Sequence, residues 1–367
     1  MKNSLLAGFL VVTCGTAAHA LPPRYTVDFL AADFYAMAMS RSGVAAGYDN
    51  ADYMPNRESY YGVFLDSTRR IGIIGNDEFV EIDAVNDAGE VAGVYMSDQT
   101  NRQMIPCVAT EFGGRTLLPM PQDRQGFITH ISNSGIILGG VYEVGGLVPT
   151  TWTRTENGFA RHELALPAES WRGLPRTMSS NGVIAGHISE TENESKPAMW
   201  AGNEFQLLSL PDGFSRGSVA RMLGDDVMYG HVWNDDYGTD ARMAMWEGGQ
   251  VQLLPPLGNS LIQGVGPSGE VLAMQFGTPY PPPVWLLHDD EWISLASLID
   301  SDVPFSLTDV VGIDESGRIL AHGTFNEGDI DSQWGLVRLV PVPSPGVVGV
   351  GAVWFAVMGC ARRRDRA

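Results

Sequence analysis

Every 43 to 48 residues the chain repeats one order of apolar and polar positions. An apolar residue is followed by a short polar stretch, a turn position, and then a second apolar run that closes on a small residue. The turn position is Gly43, Gly89, Gly135, Gly182, Asp226, Gly269 and Gly317, with spacings of 46, 46, 47, 44, 43 and 48. Such regularity is the mark of a repeat architecture, and a period near 45 falls in the range of propeller blades. Asp226 is the one exception to glycine; aspartate is among the few side chains that tolerate the left-handed backbone of a tight turn.

Other columns keep the same register. Met39, Val85, Ile131, Met178, Met222, Val265 and Ile313 stand four residues before the turn, and Ala45, Val91, Ile137, Ile184, Met228, Val271 and Ile319 two after it. Four after it come Gly47, Gly93, Gly139, Gly186, Gly230, Ala273 and Ala321. Residues two apart share a strand face, and a glycine inside a strand implies close approach of another backbone. The small column therefore predicts that the strand after the turn is the innermost one, crowded around a common axis. A second apolar pulse follows at Phe64, Val108, Trp152, Trp200, Trp246, Trp285 and Trp334, and a third follows in six of the seven copies. Each unit reads as a four-stranded antiparallel sheet, with no helical periodicity between units. The seventh copy lacks its last strand, and an unmatched strand, Tyr25 to Leu30, precedes the first copy. Together these predict an all-β, seven-bladed β-propeller closed by the N-terminal strand, which leaves no free sheet edge. An open β-solenoid, the alternative, leaves that strand unexplained.

The two ends differ from the body. Residues 1–20 read as a secretory signal: Lys2, an apolar run from Leu5 to Val12, and a small-x-small cleavage site at Ala18 and Ala20. Residues 21–341 form the repeat body. Residues 342–367 run through Val342, Pro343, Ser344, Pro345 and Gly346, then an apolar stretch, then Arg362, Arg363 and Arg364. That order resembles a PEP-CTERM sorting tail. The resemblance implies an exosortase-type protease as partner, transient membrane anchoring through the tail, and release to the cell surface or medium. The arginines hold that end in the cytoplasm, so the body lies outside.

Formal charge is -20, and taking away Lys2 and the net +3 of the C-terminus leaves a body near -24. A body so acidic repels nucleic acid and anionic membranes. Cys14 and Cys360 lie in the two end segments and Cys107 is alone in the body, which excludes a disulfide framework.

Candidate chemistry is sparse. His187 and His231 occupy equivalent positions on successive units, with His322 two units further on. A metal site requires three or four ligands at short range, so packing between blades is the favoured role and no metal is expected. The acidic loops Asp49 to Asp52, Asn234 to Asp240 and Asn326 to Asp331 carry oxygen ligands suited to calcium, but these are also ordinary turn residues, and no cofactor is expected. The Trp column reads as repeated core; Trp171 and Trp233 are the better sugar-stacking candidates. Neither a Gly-x-Ser-x-Gly elbow, a His-Glu-x-x-His motif nor a phosphate loop occurs.

The pattern apolar-x-x-x-Gly-x-apolar-x-Gly, with Val85 to Gly93 and Pro197 to Trp200 as its nearest matches, resembles the HAF-type extracellular repeat family from about Met39 to Leu336. The resemblance implies an extracytoplasmic location and transfers no catalytic residue. The expected function is an exported, non-catalytic binding module for a glycan or an extracellular-matrix protein. The alternative is a polysaccharide hydrolase or lyase with carboxylates paired across the channel, a pairing invisible in sequence.

Overall fold

The computed structural model describes residues 22–342 except 33, 50–60, 67–68, 75–78, 97–102, 111–113, 192–193, 203, 235–239, 278–279, 301, 303 and 326–332. The signal segment with Ala18 and Ala20, and the tail from Pro343 through Arg364, lie outside the described residues, as do most of the acidic loops. Val342 is described and ends the last strand, opposite Arg24.

The chain opens on β1 (Arg24–Ala32). The first sheet then takes β2 (Phe34–Met39), β3 (Ala45–Asp49), β4 (Tyr61–Asp66) and β5 (Arg69–Ile74). The second takes β6 (Phe79–Val85), β7 (Val91–Met96), β8 (Met104–Thr110) and β9 (Gly114–Leu117). Next come β10 (Gly126–Ile131), β11 (Ile137–Glu143), β12 (Gly146–Thr155) and β13 (Gly158–Glu163), followed by β14 (Arg172–Met178), β15 (Val183–Ser189), β16 (Lys196–Ala201) and β17 (Glu204–Leu207). β18 (Arg216–Leu223), β19 (Val227–Trp233), β20 (Arg242–Glu247) and β21 (Gln250–Leu253) form another sheet. So do β22 (Ser260–Val265), β23 (Val271–Gln275), β24 (Val284–His288) and β25 (Glu291–Ser294), followed by a one-turn helix, α1 (Leu295–Leu298). The last sheet is β26 (Phe305–Ile313), β27 (Ile319–Phe325) and β28 (Gln333–Val342), with β1 as its fourth strand. β1 runs antiparallel to β28 from Arg24↔Val342 to Ala32↔Gly335. No helix among the described residues is long and apolar enough to cross a membrane.

The result is an all-β chain in a propeller arrangement. Among the described residues, the expected seven separate sheets appear as five of four strands and one of eight. The eight-stranded sheet arises because the ten-residue β12 reaches β14 through one parallel bridge, Leu147↔Arg172. Gly146 permits that approach: a Cβ there would lie 1.6 Å from the Trp171 carbonyl oxygen.

Burial patterns identify the inner strands. The first strands alternate buried and accessible positions, as in β10 and β14. The second strands β11, β15 and β27 are buried on nearly every residue. Alternation marks a sheet edge with one face toward water, and continuous burial a strand covered on both faces. The expectation that the second strand is innermost is therefore corrected: the first strand of each unit lines the axis.

Between units the core is apolar. Ala84, Ala92 and Val108 pack on Ile128, Ile137 and Trp152, and Ala185 and Leu208 on Val219, Met228 and Trp246. The Trp column adds a directed tie. The indole N–H groups of Trp152, Trp200 and Trp246 donate to the carbonyls of Pro119, Ala165 and Ser209 at 3.0, 2.7 and 2.7 Å. Each carbonyl lies just past the outermost strand of the preceding unit. In the sixth unit Trp292 on β25 makes the tie, to Pro255 at 2.9 Å, and the Trp285 indole nitrogen is buried without a partner among the described residues.

Candidate functional site

Each first strand carries a β-bulge at the same place. The residue left out of register is Met37, Asp83, Thr129, Arg176, Ala220, Gln263 or Val311. A bulge bends its strand and re-aims a side chain. Here it also explains the small column. A Cβ on Gly47, Gly139, Gly186 or Gly230 would lie 1.9, 2.0, 2.1 or 2.0 Å from a carbonyl oxygen of the bulged strand beside it. The close approach is within a sheet, not across the axis.

Six of the seven bulge residues line a cavity of about 450 Å³ on the axis, and Arg221 represents the fifth sheet. Three arginines meet there: Arg41, Arg176 and Arg221. Burial, and then the charge of Arg172, lower the pKa of Arg176; burial and then Arg176 lower that of Arg221. His130 lies in the same wall and is held down to about 4 by burial, then by Arg221 and Arg41. Arg221 donates to the Gln263 and Ala220 carbonyls at 3.3 and 3.0 Å. Arg176 is exposed to the channel interior and makes no hydrogen bond or ion pair among the described residues. Three carboxylates, Asp83, Asp314 and Glu315, line the same cavity. Burial, reinforced by Glu81, pushes Asp83 up to about 8, and its Oδ2 is buried without a partner among the described residues. Asp314 is taken by Arg318, with Nε–Oδ2 at 2.6 Å. Three arginines thus face one further carboxylate, Glu315, so the channel wall of an acidic molecule carries a net positive charge.

Asp83, Thr129 and Arg176 also line a second, more open cavity of about 740 Å³. Its rim carries Tyr142 and Val144, 48% and 87% exposed, and the pair Trp171 and Arg172. The Arg172 guanidinium stands 5.4 Å from the Trp171 ring centroid.

The histidines serve the ring. His187 Nδ1 shares a 2.8 Å hydrogen bond with Ser218 Oγ, His231 Nε2 donates to the Ser260 carbonyl at 3.0 Å, and His322 Nε2 accepts from the Ala36 N–H at 3.0 Å. Each bond runs from a second strand to the first strand of the next unit. His187 and His231 therefore do not converge on one point. Among the described residues no three His, Cys, Asp or Glu side chains are placed to hold a metal. In the described part of the acidic loops, Asn234 accepts from the Ser215 N–H and Asp240 from the Asn234 N–H. Burial holds His187 at about 3, and His231 and His322 at about 4. These side chains stay neutral in the folded chain while the unfolded chain takes up protons below about pH 6.5. Their contribution to stability is therefore complete above pH 6.5 and is lost as pH falls toward 4, each at up to ~1.4 kcal/mol per pH unit. Asp83 acts oppositely, favouring the folded state most below pH 4 and losing that contribution as pH rises through 8. Urea midpoints at pH 7 and pH 5 are expected to differ less in His187→Gln than in the native chain; an equal fall in both would contradict this.

The turns form a belt at one rim of the channel. Gly43, Gly89, Gly135, Gly182, Gly269 and Gly317 all have positive φ. Three residues earlier, Ser40, Ser132, Ser179 and Asp314 each accept a hydrogen bond from a backbone N–H four residues on. The fifth turn differs, and the left-handed role assigned to Asp226 is corrected: Gly224 has φ 67° and Asp226 does not have positive φ. Leu223 occupies the capping position, where its apolar side chain has no oxygen to accept the bond, and the positive φ falls on Gly224 instead. Neighbouring turns are linked to one another. The Ser42 N–H donates to Asp87 and the Asp87 N–H to Asn133, both at 3.0 Å, and Arg318 donates to the Ser42 carbonyl at 2.8 Å.

Sheets set around a polar axial channel define the β-propeller class. Among solved structures, the chain is similar to the GH74 enzyme of Niastella koreensis, with 12% identity, a TM-score of 0.51, and coverage of 84% of this chain and 55% of that one. It is also similar to the acylaminoacyl peptidase of Pyrococcus horikoshii, with 14% identity, a TM-score of 0.51, and coverage of 82% and 50%. A third likeness is to a prolyl endopeptidase structure, with 11% identity, a TM-score of 0.50, and coverage of 87% and 51%. The chain spans about half the length of each, and at these identities the likeness concerns the fold alone. No family model and no curated protein sequence matches the chain.

The bulge residues and channel arginines were not singled out from sequence, although a signal exists. All seven bulge residues stand six positions before the turn position, so they form a column of their own.

Proposed function

We propose that this chain is an exported, seven-bladed β-propeller of the HAF-repeat kind that binds a ligand in its axial channel without transforming it. The blade number counts the eight-stranded sheet as two, because one parallel bridge joins its halves and each half contributes a first strand to the cavity wall. Export, exosortase-type processing of the tail and a cell-surface or matrix location rest on the sequence of the two ends.

The observation that carries the binding reading is Arg176, a guanidinium with no acidic partner among the described residues, facing a cavity it shares with Arg41 and Arg221. A planar guanidinium fork matches the geometry of a carboxylate or phosphate group. The second reading, a polysaccharide hydrolase or lyase, is favoured by Asp83. A carboxyl raised to about 8 beside Glu81 is protonated at neutral pH, as a general acid requires.

Incubation with a panel of neutral and acidic polysaccharides and matrix proteins separates the two. Retention of at least one member with its chain length unchanged is expected. Shortening of a polysaccharide, abolished by Asp83→Asn, would overturn the binding reading in favour of the enzyme.

A further inference from the structure

We propose that the channel takes the acidic end of a saccharide chain, with a uronate carboxylate held by Arg176 and Arg221 and the adjoining sugar against Tyr142 and Trp171. This rests on the binding reading above and specifies its ligand.

The argument begins with unused donors. Arg176 presents a whole guanidinium fork, and Arg221, already bonded to two carbonyls through Nε and Nη1, retains Nη2. A planar fork matches a carboxylate with two parallel hydrogen bonds, a geometry that an ammonium group lacks. After burial, the charge of Arg172 lowers the pKa of Arg176 and that of Arg176 lowers Arg221, so an anion beside Arg176 and Arg221 relieves repulsion as well as forming bonds. Site size is consistent: cavities of about 450 and 740 Å³ sharing Arg176 lie within the range of small-molecule sites.

Charge placement selects the part of the ligand that enters. With a body near -24, a long polyanion laid across the surface is repelled, whereas a terminal anionic group need only reach the axis. The aromatic rim selects the rest. Tyr142 is half exposed, and Trp171, Arg172 and Arg176 line the same cavity. An amphipathic ring beside a fixed cation suits a sugar ring bearing a carboxylate.

Calorimetric titration of the full protein with trigalacturonate, maltotriose and inorganic sulfate tests this. Trigalacturonate is expected to bind one per chain and maltotriose not to bind. Arg176→Gln is expected to weaken trigalacturonate by about 10–100-fold, the loss of charge-assisted hydrogen bonds. Arg176→Lys, which keeps the charge, should fall between, and Tyr142→Ala should weaken trigalacturonate several-fold. Melting temperatures equal to the native chain's establish that each variant is folded. Sulfate binding as tightly as trigalacturonate, with no effect of Tyr142→Ala, would overturn the saccharide assignment in favour of a bare anion site. Trigalacturonate binding unchanged in both Arg176 variants would overturn the channel site while leaving the binding reading in place. Absence of trigalacturonate binding would overturn the inference, and the polysaccharide panel then decides the binding reading separately.

Discussion

Removing residues 22–32 is expected to leave a chain that no longer folds to a cooperative monomer, whereas removing 343–367 leaves its melting temperature unchanged. Among the described residues, β1 is the only partner of β28 on its outer side. It brings Tyr25 and Leu30, 2% and 8% exposed, and covers Val337 and Leu339, which are fully buried. Tyr25 also ties in the segment after α1, its carbonyl accepting from the Asp300 N–H at 3.0 Å. Fully burying one large apolar side chain contributes roughly 1.5–3 kcal/mol, so these four together approach the ~5–15 kcal/mol that separates a folded domain from its unfolded state. The deletion also exposes an apolar strand edge, an invitation to aggregation. Thermal denaturation and size-exclusion chromatography check both deletions.

Gly186→Val is expected to destabilise by about 3 kcal/mol or more, at the upper end for overpacked cores. Its Cβ would lie 2.1 Å from the Leu174 carbonyl oxygen and 2.9 Å from the Pro175 Cα, both in the bulged strand β14. Neither backbone atom can swing away as a side chain does. Gly182, four residues earlier, is the control. It has φ 83°, but a Cβ there meets nothing within 4 Å. Gly182→Ala therefore carries only the left-handed backbone penalty of about 1–2 kcal/mol. Alanine at 273 and 321 in the equivalent column shows that the sixth and seventh units leave room for a methyl group, and Ala273→Gly is not expected to stabilise. Equal losses in Gly186→Val and Gly182→Ala, read from denaturant midpoints, would contradict the bulge explanation.

What was legible in the sequence follows from which contacts are local. The hairpin around each turn glycine is a few residues long, so apolar and small columns report it directly. Tyr25 to Leu30 could be matched to the last sheet because every other unit had its fourth strand. The strand order toward the axis was misread, because a glycine column reports close approach without saying which backbone approaches. Gly47, Gly139, Gly186 and Gly230 meet a bulge in their own sheet. The arginine site was hidden for another reason. Arg41, Arg176 and Arg221 come from three sheets and from different positions relative to the turn, so they meet only once the ring has formed. His187, His231 and His322 shared a column, yet each turns to its own neighbour.

The ring depends on one pairing, that of β1 with β28, and a cysteine pair measures it most directly. Thr26 and Val340 face each other in that ladder, and opposed residues of an antiparallel pair lie about 4.5–5.5 Å apart, within disulfide range. In Thr26→Cys/Val340→Cys, oxidation is expected to give an intramolecular cross-link in the monomer, mapped by peptide mass, and a raised melting temperature. A chain that stays folded and reduced under oxidation, or cross-links only between molecules, would contradict closure of the ring by its own ends.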